Sequence, residues 1–116
     1  MAAYSKIDEV EASTKFGNSG PMGWGFHLWS DLIDDEAPHR ALLEELAATN
    51  PGVELNLPPY ERYEDCIEGS MEWQEQPVWI WYENILSLLW FWSADRTTMT
   101  NLRAAVVPLV EIAASR

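Results

Sequence analysis

The chain has 116 residues, enough for one hydrophobic core, with an apolar fraction of 47% that argues against disorder. Its 19 acidic residues against 7 Lys and Arg give a net charge of −12. That charge excludes nucleic acid and anionic membrane as partners, since both are gripped through Lys and Arg, and favours a basic protein.

Taken in chain order, the residues sketch alternating strands and helices. Ser5 with Asp8 marks a helix start, and Ile7, Val10 and Thr14 predict one face of a short helix within an N-terminal segment 1–22. Gly17-Asn18-Ser19-Gly20-Pro21 forces a loop. From Trp24 to Leu32 the pattern has period two, with Trp24, Phe26, Leu28 and Leu32 on one side and His27, Trp29 and Asp31 on the other, which predicts a strand. Asp34-Asp35-Glu36-Ala37-Pro38 opens a helix whose buried stripe is Leu42, Leu43, Leu46 and Ala47, and Asn50-Pro51-Gly52 ends it.

The second half is richer in strand signals. Val53, Leu55 and Leu57 alternate with Glu54 and Asn56 in a short strand that stops at Pro58-Pro59. Between Asp65 and Gln74, Ile67, Gly69, Met71 and Trp73 share one face, with Glu68, Ser70, Glu72 and Gln74 on the solvated one. Pro77 interrupts. Val78–Tyr82 and Ile85–Trp92 then read as a hairpin closed at Glu83-Asn84, the competing reading being a helix from Ile85. Trp79, Trp81, Leu86, Leu88, Trp90 and Trp92 fall on one side of this hairpin, and Val78, Ile80, Tyr82, Ile85, Leu89 and Phe91 on the other. A last helix, capped by Thr98 or Thr100, carries Leu102, Ala105, Val106, Leu109, Val110 and Ala113 in helical spacing, kinked at Pro108.

The order (α)βαββββα predicts a single α+β domain over 1–116, with a mostly antiparallel sheet of four to five strands and two main helices on one face. Its first βαβ unit is expected to be a right-handed crossover. Two helices cover one face only. The second, tryptophan-rich face must be covered by the N-terminal segment, by a second copy of the chain, or by a partner.

No arrangement of residues argues for catalysis. Cys66, His27 and Asp31 are the material for a cysteine–histidine–acid set, but Glu64, Asp65 and Glu68 around Cys66 would raise the thiol pKa and blunt it. His27 and His39 with Asp31, Asp34, Asp35 and Glu36 lack the spacing of a zinc site and fit helix capping and loop solvation better. Gly17, Gly20, Gly23 and Gly25 lack the lysine and the context of a phosphate loop. A non-catalytic binding protein, with no metal and no cofactor, is the expectation. The lone Cys66 fits a reducing compartment, residues 1–9 lack the basic and apolar blocks of a signal peptide, and Val78–Tyr82 and Leu88–Trp92 are too short to span a membrane; cytoplasm is therefore expected.

The strongest candidate surface is acidic. Between Glu61 and Gln76 stand Glu61, Glu64, Asp65, Glu68, Glu72 and Glu75 against Arg62. Glu64, Glu68 and Glu72 recur every fourth residue, about 13 Å apart on an extended strand, beside Tyr60, Tyr63 and Trp73. Aromatics beside charge describe a protein-binding surface. The same acids also discourage edge-to-edge aggregation, which is a purely protective reading of the row.

In size, acidity, tryptophan content and absence of a signal peptide, the whole chain resembles the immunity proteins of bacterial polymorphic-toxin systems, those of contact-dependent inhibition and type VI secretion, without carrying a signature motif. The resemblance implies a toxin inhibitor that occludes the basic active site of a nuclease. Glu64, Asp65, Glu68 and Glu72 would stand in for substrate phosphates, and Tyr60, Tyr63 and Trp73 would serve as anchors. Two other readings stand beside it: a phage-derived DNA mimic that blocks a defence complex, and a homodimeric small-molecule-binding or enzymatic domain whose pocket or dimer interface is the Trp79, Trp81, Trp90 and Trp92 face.

Overall fold

A computed structural model describes residues 2–14, 22–30, 37–58, 66–83 and 88–112. In chain order the elements are β1 (Ala2–Tyr4), β2 (Lys6–Ile7), β3 (Glu11–Thr14), β4 (Met22–Trp29), α1 (Ala37–Thr49), β5 (Glu54–Asn56), β6 (Cys66–Trp73), β7 (Gln76–Glu83), β8 (Leu88–Ser93), α2 (Arg96–Val106), a 3-10 turn (Val107–Leu109) and β9 (Val110–Ile112). The expected α+β architecture is present, with both helices on one face of an antiparallel sheet. The sheet is wider than expected: seven strands, ordered β2-β4-β8-β7-β6-β5 with β3 also beside β4.

β4 and β6 form where large apolar residues alternate with small or polar ones, whereas β7 and β8 are runs of large apolar residues on both faces. Every neighbouring pair in this sheet is antiparallel, so β4 and β5 run parallel with three strands between them. The chain leaves β4, crosses through α1 to the far edge, and returns as the meander β5–β6–β7–β8 until β8 pairs with β4. Phe26, Leu28, Met71, Val78, Ile80, Tyr82, Leu89 and Phe91 project to the helix side, where they pack with Leu42, Leu43 and Leu46 of α1 and Met99, Leu102 and Val106 of α2. Each such leucine contributes about 1.5–3 kcal/mol by leaving water.

Helix ends are set by side chains at the right offset. Asn50 Nδ2 donates to the Leu46 carbonyl at 2.9 Å, and Gly52 at φ +90 turns the chain after α1. The acids expected to cap α1 at its start, residues 34–36, lie outside the described residues. At α2 the cap is Asp95 and not Thr98 or Thr100: Thr98 gives both its backbone N–H (2.8 Å) and its hydroxyl (2.6 Å) to Asp95 Oδ2. Two hydrogen bonds on a carboxylate hold the Asp95 pKa below the ordinary range.

The N-terminal helix expected from Ile7, Val10 and Thr14 is extended chain. Asp8 donates its N–H to the His27 carbonyl, while Glu11 stands opposite Gly25, so Glu9 and Val10 together face Phe26 alone. That is a β-bulge, and it places Ile7 and Val10 on one side with two residues between them, the spacing of a helix. Arg103 of α2 pins the bulge, donating Nε to the Asp8 carbonyl at 2.7 Å and approaching Glu9 at 3.4 Å.

Three further differences have local causes. Pro77 does not interrupt: it lies inside β7, and the turn comes earlier, at Gln74 and Glu75, both with positive φ (51 and 68). With Trp73 and Gln76 as the closing pair, the position of Pro77 faces away from β6, and β8 joins β7 only at Trp79, so the missing N–H leaves no ladder bond unmade. The β7–β8 hairpin closes at Glu83 opposite Leu88, four residues later in its register than a turn at Glu83-Asn84 requires, and Leu88–Ser93 is strand, not helix. The shift is even, so the side chains of the described β8 residues keep their expected faces; Ile85 and Leu86 lie outside the described residues. Finally, Pro108 ends α2 instead of kinking it. The chain passes through the 3-10 turn into β9, which pairs in parallel with β1, Ala2 opposite Val110. That small sheet brings Tyr4 into the core, its hydroxyl 2.8 Å from His39 Nδ1. Burial pushes the Tyr4 phenol pKa far above its ordinary value.

Candidate functional site

The sheet face away from the helices is assembled by register. Its central row runs Asp8, just after β2, then His27, Trp90, Trp81 and Glu68 across β4, β8, β7 and β6. The next row runs Glu11, Gly25, Trp92, Trp79, Ser70, Asn56. Aromatic rings occupy the middle of both rows, with carboxylates at the outer ends of the first and at one end of the second. At about 4.8 Å per strand, the four steps from Asp8 to Glu68 span about 19 Å.

Contacts between the rings make this face rigid. His27 stacks on Trp90 with ring centroids 5.2 Å apart and planes within 15°, and it leans on Trp29 at 5.4 Å. Trp79 meets Trp92 edge to face at 5.2 Å. Trp92 is itself buried, 1% exposed, because Gly23 leaves room for it: a Cβ there would collide with the indole ring and lie 2.6 Å from the Ser93 carbonyl oxygen. Trp29, Trp79, Trp81 and Trp90 are half-buried, so each presents an edge or part of a face outward.

Asp8 organises one end. Trp29 donates its indole N–H to Asp8 Oδ2 at 3.0 Å, Lys6 Nζ stands 3.2 Å from Oδ1, and His27 Nδ1 is 3.5 Å from Oδ2. Partial burial alone would raise the Asp8 pKa, but the indole, Lys6 and His27 outweigh it and hold the carboxyl below the ordinary range. For His27 the balance goes the other way. Desolvation lowers its pKa by more than Asp8 and Glu11 raise it. At neutral pH the pair is therefore a carboxylate beside an uncharged ring, an ion pair only once the solution is acid.

The residues singled out from the sequence separate on the structure. Glu68 and Glu72 lie exposed on the helix-free face, opposite Trp81 and Pro77. Trp73 does not join them. It is 4% exposed and packs in the core on the other face, as period two requires of a residue adjacent to Glu72. Tyr60, Tyr63, Glu64 and Asp65 lie outside the described residues, as does Asp31, and of Cys66 only the backbone in β6 is described. His39, grouped with His27 by composition, is a buried residue of the first turn of α1, 5.3 Å from Tyr82, and does not approach His27's face. Asp8 and Glu11 join the site without any signal in their spacing: Asp8 comes opposite His27 by continuing the β2 register, and Glu11 reaches this face only through the bulge.

Among the described residues no three His, Cys, Asp or Glu side chains converge as a metal site, and no helix is long and apolar enough to cross a membrane. No protein family matches the chain, and no curated protein or solved structure matches it significantly.

Proposed function

We propose that this protein is a non-catalytic binding module that captures a basic protein on its helix-free sheet face, in the manner of an immunity protein occluding a toxin. The observation that carries the reading is the pair of cross-strand rows, with half-buried tryptophans in the middle and carboxylates toward the edges. Rigid aromatics supply contact area at low entropic cost, and they dominate binding energy where flanking groups exclude water. Asp8, Glu11, Glu68 and Glu72 complement Lys and Arg, and the net charge of −12 steers a basic partner toward the surface. The residues that would meet the partner are thus Trp79, Trp81 and Trp90 with Glu68 and Glu72, not Trp73.

The test is identification followed by rescue. Immobilised wild type, a Glu68→Lys/Glu72→Lys variant and Trp81→Ala are exposed to lysate at low and high salt, and captured proteins are identified by mass spectrometry. The expected result is a basic protein held by wild type, released by salt, lost on charge reversal, and toxic when expressed without its inhibitor. A captured protein that is harmless to the cell, or one retained equally by all variants, would refute the reading.

A further inference from the structure

A cleft of about 310 Å³ opens between the loop that ends α1 and the β6–β7 turn, with residues 50–53 on one side and 73–75 on the other. It lies apart from the tryptophan rows, because Trp73 belongs to the core on the helix side of the sheet. We infer that this cleft is a second binding site, for the amino-terminal residue of a peptide. The α-ammonium lies against the end of α1 and Glu75, the first carbonyl oxygen meets the Trp73 indole N–H, and an apolar side chain rests on Val53.

An unmet donor calls for the carbonyl. Trp73 is 4% exposed, and its indole N–H is buried without an acceptor among the described residues. A buried donor left unpaired is costly, so an acceptor arriving in the cleft that Trp73 lines gains more than one bound at the surface. The N–H is closed to water in the empty cleft, so the ligand reaches it by shifting the adjoining turn. That turn is strained, since Gln74 and Glu75 both carry side chains on left-handed backbone, at φ 51 and 68.

The other wall calls for a cation. α1 carries no basic residue in its last turn, so nothing there offsets the partial negative charge of its carbonyl end. Pro51 has no N–H, and the usual helical bond to the Ala47 carbonyl is not made. Asn50 gives its side-chain N–H groups to the Leu46 carbonyl at 2.9 Å and the Thr49 hydroxyl at 3.1 Å, so what it offers a ligand is its oxygen. Glu75, exposed at the rim, adds a full negative charge. A carboxylate is repelled by such a wall, which favours a peptide over a free amino acid. Beside Gly52 there is room, for a Cβ built there meets nothing within 4 Å.

The test uses leucyl-alanyl-alanine amide, its N-acetylated form, isopentylamine and free leucine, titrated by calorimetry while NMR follows the indole N–H signals. The peptide should bind about tenfold more tightly than the acetylated form, which lacks the charge, and than isopentylamine, which lacks the carbonyl. Free leucine should bind less well than the peptide, and the Trp73 signal should move most. Glu75→Gln should weaken the peptide about threefold and leave the acetylated form unchanged. Trp73→Phe should erase the peptide's advantage over isopentylamine. If that variant does not fold, the exposed Glu75 and the ranking of probes on wild type still decide. The site is overturned if the acetylated peptide or free leucine binds as well as the peptide, if no probe binds, or if the shifts fall on Trp79, Trp81 or Trp90 instead. None of these outcomes bears on the basic-partner reading, which concerns the opposite face of the sheet.

Discussion

Gly23→Ala tests whether the helix-free face is packed as described. The added Cβ would overlap the Trp92 indole and stand 2.6 Å from the Ser93 carbonyl oxygen, so either the ring or the β4–β8 pairing must yield. Overpacking of this kind costs about 1–3 kcal/mol. The stiffer unfolded chain returns about 0.5 kcal/mol, leaving a net loss of about 1.5 kcal/mol. For 116 residues, unfolding entropy converts that into a fall of about 6 °C in Tm. Urea unfolding followed by tryptophan fluorescence reads the loss, and near-UV circular dichroism reads the displaced rings. In a Trp92→Phe background the ring clash is relieved while the carbonyl clash remains, so the same substitution should cost roughly 1 kcal/mol less. Equal costs in the two backgrounds would show that Trp92 does not occupy the space above Gly23, and the rigidity ascribed to this face would go with it.

Three other outcomes follow from the same structure. Tyr4→Phe removes the hydroxyl that meets His39 Nδ1 in the core and should destabilise by about 1–3 kcal/mol, read by denaturant unfolding; a neutral result would mean that the β1–β9 clasp does not hold Tyr4 there. Glu75→Gly relieves a left-handed backbone at φ 68 and should stabilise by about 1 kcal/mol, whereas an unchanged midpoint would argue against that turn geometry. His27 is held mostly uncharged in the folded state, so its folded pKa lies below its unfolded value; stability is complete above about pH 6.5 and declines as pH falls from there through the lower folded value. His27→Gln should flatten that part of the stability–pH curve, and an NMR titration placing the His27 midpoint at or above about 6.5 would contradict the desolvation argument.

How much of the fold is legible in the sequence depends on how local each signal is. β4 and β6 announce themselves by alternation, and β7 and β8 by short runs of large apolar residues. Their faces follow correctly even where the turn lies elsewhere, because an even shift of register leaves every side chain on its own side. Trp79, Trp81, Trp90 and Trp92 therefore group on one face by their spacing alone. The edges are harder. A bulge at Glu9 and Val10 gives extended chain a helical spacing, and no neighbour in sequence reveals it, since the strand that imposes it begins only at Met22. Val110 and Leu109 likewise continue the stripe of α2, yet Pro108 and a strand partner more than a hundred positions earlier decide otherwise. The acids of the site divide on the same line: Glu68 and Glu72 follow from period two, whereas Asp8 joins Trp29 across 21 positions.

The clasp between the first and last strands also sets a clock. Ala2 pairs with Val110 and Tyr4 with Ile112, while β4 lacks its β8 neighbour until residue 88 has been made. At about 5–20 residues per second of synthesis, the opening strand waits roughly 5–20 s for the one it binds. While the chain is still growing from the ribosome, the meander can zip in order, but the aromatic rows stay split between an early half and a late half. A nascent chain therefore has no complete aromatic face to offer a partner until Trp92 has been made and β8 can join β4 and β7.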